Sequence, residues 1–229
     1  MRSLSSFNFT SSTSESDIAD VLGLNWDSTN NVAYAGTDAN NGFYMSNSGG
    51  TLSIKPFVNG SAYGNAVTLT SQIYYIKNDD ETACAFGGFL NISPAMVQIA
   101  LVWAEAQSPI DTNKHYVYAT TYQASWTGGH TLWADNGTGY QESWSSIALS
   151  NMSLCSSQMV SLAPLAMDKM TNTGNPSLPR YTHNLYYVIV CEDTINYSIV
   201  TLNGYDYIIL SRINGGSYIK LAMKIGETA

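Results

Sequence analysis

Polar and apolar residues alternate with a period of two along much of this chain, the spacing that buries one face of a β-strand. Thr51-Leu52-Ser53-Ile54-Lys55-Pro56-Phe57 shows it, Ala66 to Ile76 continues it, and Tyr116 to Tyr122 repeats it. Turn-forming residues punctuate the runs. Gly42 to Met45 ends at Ser46-Asn47-Ser48-Gly49-Gly50, Asn59-Gly60 follows Phe57, and Asn78-Asp79-Asp80-Glu81 precedes Ala83 to Phe86. Such residues tolerate the positive φ of a tight hairpin. Toward the C-terminus Leu185 to Cys191, Tyr197 to Leu202, Tyr205 to Arg212 and Tyr218 to Ile225 read as four strands. Asn203-Gly204 between two of them is a type I′ hairpin signal, and Asn214-Gly215-Gly216 a longer turn. An antiparallel meander is expected there.

Helical spacing is rare. Ser14-Glu15-Ser16-Asp17 offers capping side chains ahead of Ile18, Ala19, Val21 and Leu22, and Gly23 stops the run, so a short helix is expected. Gln98 to Ala106 reads as a strand buried on both faces, with a short helix as the alternative because periodicity does not decide. Residues 157–170 are ambiguous, and a helix there would have to kink at Pro164. The whole reads as mainly β: an antiparallel β-sandwich or partly closed barrel with a C-terminal β-meander and one or two short helices. Residues 1–16 form a Ser/Thr-rich extended arm, 17–170 a β-rich domain, and 171–229 the meander packed on the same domain.

Composition narrows the partners. Only 11% of residues are charged, against about 25% in an ordinary soluble domain. Ser, Thr, Asn, Gly and Tyr take their place. Hydroxyls and amides are buried at contacts with less desolvation cost than ions, so this surface suits a lattice or a glycan. Nine Lys plus Arg, scattered singly in a chain of net charge −8, argue against nucleic acid and anionic membranes. The N-terminus lacks the apolar core of a secretory signal, and no run approaches a membrane span, so neither leader nor membrane is expected. Cys84, Cys155 and Cys191 are odd in number and lack CxxC spacing, so they read as buried free thiols.

Motifs of catalysis do not emerge. His115, His130 and His183 have no metal-binding spacing, and Asp111 with His115 reads as a solvated loop. Asp79, Asp80 and Glu81 are adjacent rather than alternating, which fits an exposed turn better than a calcium loop. Glu105 and Glu142 are the acids a glycosidase reading would use, but spacing does not bring them together. The chain is therefore read as no enzyme, with no cofactor and no metal. The most pointed cluster is Trp126, His130, Trp133, Tyr140 and Trp144 in a Gly/Thr/Asn-rich stretch. Aromatic faces stack on sugar rings, and they also anchor cores and subunit contacts; the latter is the favoured reading here.

In style the chain resembles virion structural proteins of tailed bacteriophages: an Asn/Ser/Thr/Tyr-rich β chain with Gly-punctuated turns, as in Val200-Thr201-Leu202-Asn203-Gly204-Tyr205-Asp206-Tyr207-Ile208-Ile209-Leu210. The resemblance covers the whole chain diffusely and carries over no functional residue. It implies a homo-oligomer in a tail, baseplate, fibre or head surface, made in the host cytoplasm and partnered by copies of itself and other virion proteins. The alternative is a carbohydrate-binding module or receptor-binding fibre tip that touches a host surface glycan.

Overall fold

The computed structural model describes residues 3–58, 60–62, 66–90, 96–105, 115–119, 131–134, 139–142, 161–169, 180–189, 199–210 and 219–228. The first third holds β1 (Ser5–Asn8), α1 (Glu15–Val21), β2 (Asn25–Asp27), β3 (Val32–Tyr34), β4 (Gly42–Ser48), β5 (Thr51–Val58), β6 (Ser61–Ala62), β7 (Val67–Thr70) and β8 (Gln72–Lys77). β9 (Ala83–Leu90), β10 (Met96–Glu105), β11 (His115–Ala119), β12 (Thr131–Ala134), β13 (Gly139–Glu142) and β14 (Ser161–Lys169) follow. β15 (Arg180–Ile189), β16 (Ile199–Leu202), β17 (Tyr205–Ile209) and β18 (Ile219–Glu227) complete the chain. The fold is mainly β, every described strand pair is antiparallel, and α1 is the one α-helix among the described residues.

Two hydrogen-bonded paths run through it. The longer has the order β1-β8-β9-β10-β11-β12-β13-β14-β15-β18-β17-β16; the shorter joins β2-β3-β4-β5-β6, with β7 also on β5. Among the described residues the long path does not close into a barrel. The alternating run from Ala66 to Ile76 is two strands, because Ser71 at φ 62 breaks it and sends β7 and β8 into different sheets. Backbone bonds from Ser71 N–H to Gly50 O (3.3 Å) and from Phe9 N–H to Ser71 O (2.9 Å) hold this corner.

The two sheets form a sandwich. Phe43, Met45, Leu52, Ile54, Val67 and Leu69 of the short sheet share one core with Ile73, Cys84, Phe86, Leu101 and Trp103 of the long one. Phe43 and Phe86 meet edge to face across it, ring centroids 5.2 Å apart. The helix closes one end through Ile18, Ala19 and Leu22. Ser14 caps it and Asp17 reciprocates, a full capping box. Gly23 follows at φ 74, the left-handed residue that ends helices at least steric cost. The indole N–H of buried Trp103 donates to Leu22 O at 3.1 Å, satisfying one carbonyl left free at the helix end.

β10 is a strand buried on both faces, as its uninterrupted apolar run suggested: Leu101, Val102, Trp103 and Ala104 are all buried. The short sheet covers one side. On the other, the long path folds back so that β15 lies against β10. Asn184 Nδ2 donates to Thr82 Oγ1 (3.0 Å), and Asp79 N–H to Ile225 O (2.8 Å). β14 is extended rather than helical, with a register shift between Pro164 and Ala166, where a ring without an N–H is tolerated. The C-terminal meander is β16-β17-β18, turned at Asn203 (φ 52) and Gly204 (φ 78). β15 joins it beside the last strand instead of the first, so the four strands make a Greek key. The arm is tied to its own chain: Ser5 to Asn8 pair with Gln72 to Tyr75, and Phe9 is buried in the core.

Candidate interaction surface

Strand alternation that turns Phe43, Met45, Leu52, Ile54, Val67 and Leu69 inward leaves hydroxyl residues on the opposite face of the short sheet. Register sets them in rows. Ser46 pairs with Ser53 and Ser53 with Thr68; Ser48 pairs with Thr51 and Thr51 with Thr70. All six are half-buried or exposed. Residues within a row stand about 4.8 Å apart and successive rows about 6.8 Å, from strand spacing and rise. A third row runs Asp27, Val32, Tyr44, Lys55 across β2, β3, β4 and β5; Val32 within it is fully buried, and the other three are half-buried.

Charge on this face is sparse because residues 39–78 contain neither Asp nor Glu. Asp27, at the row's β2 end, accepts from Asn30 Nδ2 (2.8 Å) and Thr29 N–H (2.9 Å), and these bonds hold its carboxyl below the usual range. Each hydroxyl can both donate and accept, so the face offers hydrogen bonds to neutral polar groups with little desolvation cost. The expected strand from Gly42 to Met45 extends through Ser46 to Ser48 and turns at Gly49 and Gly50, both at positive φ (62° and 80°). The Ser and Thr at alternate positions 46, 48, 51, 53, 68 and 70 are visible in the sequence; their assembly into rows depends on register.

A second surface feature lies on the Greek key. Tyr207, Ile209 and Ala222 form a small buried cluster rimmed by half-buried Tyr186, Val200, Leu202 and Tyr205. Tyr186 and Tyr207 meet edge to face at 5.7 Å, and the Lys224 ammonium stands 3.4 Å from the Tyr205 ring centroid. Burial raises the Tyr186 and Tyr207 phenols above their ordinary range, and neighbouring phenols add to it. Asp206 is buried and accepts from Thr201 Oγ1 (2.7 Å) and Thr228 Oγ1 (3.2 Å), which locks the hairpin below the cluster.

Of the aromatic cluster expected from sequence, Trp126, His130 and Trp144 lie outside the described residues. Trp133 is on β12 opposite Gly139, and Tyr140 on β13 opposite Leu132, so the two sit on adjacent strands one step out of register. Glu105 ends β10 opposite His115, and Glu142 ends β13 opposite Met167. Asp79, Asp80 and Glu81 form an exposed turn. Cys84 is a buried free thiol whose pKa burial pushes up to about 12, while Cys155 and Cys191 lie outside the described residues, as does Asp111. Among the described residues no group of three His, Cys, Asp or Glu could hold a metal, and no helix is long and apolar enough to cross a membrane. No family model, curated protein or solved structure matches this chain.

Proposed function

We propose that this chain is a non-enzymatic structural protein of a virus particle of the tailed-bacteriophage kind, and that it acts by oligomeric assembly. The observation that carries the reading is the outer face of the short sheet. It is a rigid β surface whose two hydroxyl rows expose no carboxylate, on a chain of net charge −8. Charged copies repel one another over most of their surface, and faces that meet need low desolvation cost. The sandwich supplies the rigidity, since the inner residues of the same strands are locked in the core. Its partners on this reading are copies of itself and other virion proteins, with the particle as its location.

Sedimentation of the purified chain, followed by labelling in intact particles, tests the proposal. A discrete oligomer that occurs at a fixed copy number in virions is the expected result. A stable monomer that is absent from particles would overturn it. If that monomer bound a glycan array and lost binding on Trp133→Ala, the chain would instead be a carbohydrate-binding module.

A further inference from the structure

We infer that the outer edge of β16 pairs antiparallel with the same edge of a second copy of this chain, about a two-fold axis that passes through the sheet at Val200. This deepens the assembly reading and rests on it. β16 ends the long sheet: it pairs with β17 on one side, and among the described residues no strand pairs with the other. Leu202 and Tyr205 flank the two-residue turn Asn203-Gly204, which makes them a hydrogen-bonded pair. Bonding alternates along the ladder, so Val200 also bonds to β17, while Ile199 and Thr201 turn their N–H and C=O outward. Thr201 Oγ1 donates to Asp206 across the strands at 2.7 Å, as befits partners of the close, non-hydrogen-bonded kind.

The axis at Val200 sets Ile199 of each copy opposite Thr201 of the other. Each such pair exchanges two N–H···O bonds, so about four new bonds join the copies. Between them the two Val200 residues meet as a close pair, with Cα atoms about 4.5 Å apart. None of the four β16 residues is buried within its own chain: Ile199, Val200 and Leu202 are half-buried and Thr201 is exposed. Val200 and Leu202 stand on the rim of the Tyr207, Ile209 and Ala222 cluster. Pairing removes them further from water and continues the cluster of one copy into that of the other.

Proteins guard free strand edges with charge, proline or brevity. β6, at one end of the short sheet, has two residues, and β2, at the other, has three with Asp27 among them. β1, at the opposite end of the long sheet, carries the exposed polar residues Ser5, Ser6 and Asn8. β16 is the apolar edge: residues 194–205 contain neither charge nor proline. Charge favours a second copy as the occupant. Each chain carries a net charge of −8, so copies repel except where their charges stay apart. Along the rows Val200, Tyr207, Lys224 and Leu202, Tyr205, Glu227 the first charge lies two strands in from the edge. The two Lys224 ammonium groups of a dimer therefore stand about 24 Å apart, beyond the screening length of about 10 Å at ordinary salt. Asp206, one strand in, is buried and bonded to Thr201 and Thr228. Strands this short bury less than the roughly 1,200 Å² of a stable interface, so the dimer is concentration-dependent. An isologous contact of this kind closes at two subunits and leaves the hydroxyl rows of the short sheet to further contacts.

Sedimentation velocity of the full chain across a concentration series, with melting curves to verify folding, tests the pairing. Wild type shows a reversible monomer–dimer equilibrium. Ile199→Pro removes one outward N–H from each copy and puts a ring in its place. Proline is tolerated on the free side of an edge strand, so the hairpin stays intact while the dimer weakens by about tenfold or more. Val200→Lys and Val200→Glu each set like charges together at the axis and weaken the dimer by about the same factor. An equimolar mixture of those two variants sets Lys against Glu and recovers most of the affinity. In a Cys155→Ser/Cys191→Ser background, where Cys84 is buried, Val200→Cys cross-links copy to copy on oxidation. An oligomer indifferent to Ile199→Pro, Val200→Lys and Val200→Glu would overturn the inference while leaving the assembly reading standing. Failure of the mixture to recover, or of Val200→Cys to cross-link, would overturn the two-fold pairing. Open polymers that grow with concentration and vanish with Ile199→Pro would overturn it too, and would assign the edge to β1 of the next copy. A monomer at every concentration would overturn both the inference and the assembly reading.

Discussion

Raising the pH above 9 should destabilise this protein through one thiol. Cys84 sits in the core between the two sheets, wholly buried, and desolvation of its thiolate raises its pKa from 9.0 to about 12, with Lys77 opposing weakly. Below pH 9 the thiol is protonated in folded and unfolded chains alike and has no linkage effect. As pH rises from 9 toward 12 the unfolded chain releases a proton that the folded chain keeps, so stability falls with pH. Three pH units correspond to about 4 kcal/mol at the limit, and on the order of 1 kcal/mol is lost already by pH 10. The Tyr186 and Tyr207 phenols are raised too, but from a starting value of 10.0, so the interval from 9 to 10 reports mainly on the thiol. Urea unfolding at pH 7, 9 and 10, on a chain with Cys155→Ser and Cys191→Ser, measures the loss directly. Cys84→Ala in that background should flatten the dependence. Thiol labelling at pH 8.5 should be slow in the native state and fast in urea. Rapid native labelling, or a pH dependence unchanged in the alanine variant, would refute the burial argument.

Trp103→Phe keeps the ring in the core but strands the Leu22 carbonyl; a loss of about 1–3 kcal/mol in urea unfolding is expected. Gly42→Ala places a methyl 2.2 Å from Ala33 O, a backbone atom, so about 3 kcal/mol or more should be lost and the melting temperature should drop accordingly. Gly49→Ala meets open space and suffers only from its φ of 62°, about 1–2 kcal/mol by the same measurement. Ser14→Ala removes the helix cap and should cost about 1 kcal/mol.

Local chemistry made α1 and the Asn203-Gly204 turn readable. Ser14, Asp17 and Gly23 act within one turn of the helix, and Asn203 and Gly204 both adopt positive φ in the folded chain. β10 was readable as a segment covered on both sides, since an apolar run with no polar face has to be covered twice, but periodicity left a short helix open as its alternative. The corner at Ser71 was not readable, because serine rarely takes a φ of 62° and does so here under bonds to Gly50 and Phe9, which are remote in sequence. The position of β15 beside β18 was equally hidden, since every C-terminal strand is apolar enough to neighbour any other. The interaction face was half-legible. Alternate Ser and Thr are plain in β4, β5 and β7, but only pairing aligns them, and only pairing sets Asp27 and Lys55 on one row.

The turn between β8 and β9 ties the chain together late. Thr82 Oγ1 accepts from Asn78 at 2.9 Å and from Asn184 at 3.0 Å, and Asp79 bonds the backbone of Ile225. On a ribosome, β10 ends at residue 105 and β15, which covers its back, at residue 189. At about 5–20 residues per second that leaves roughly 4–17 s in which the back of β10 has no cover. Val102 and Ala104 are then open to any passing apolar surface. Nascent chains crowded on one message would be most prone to aggregate in that interval, and a chaperone that bound the β9–β10 hairpin until β15 emerged would raise the yield.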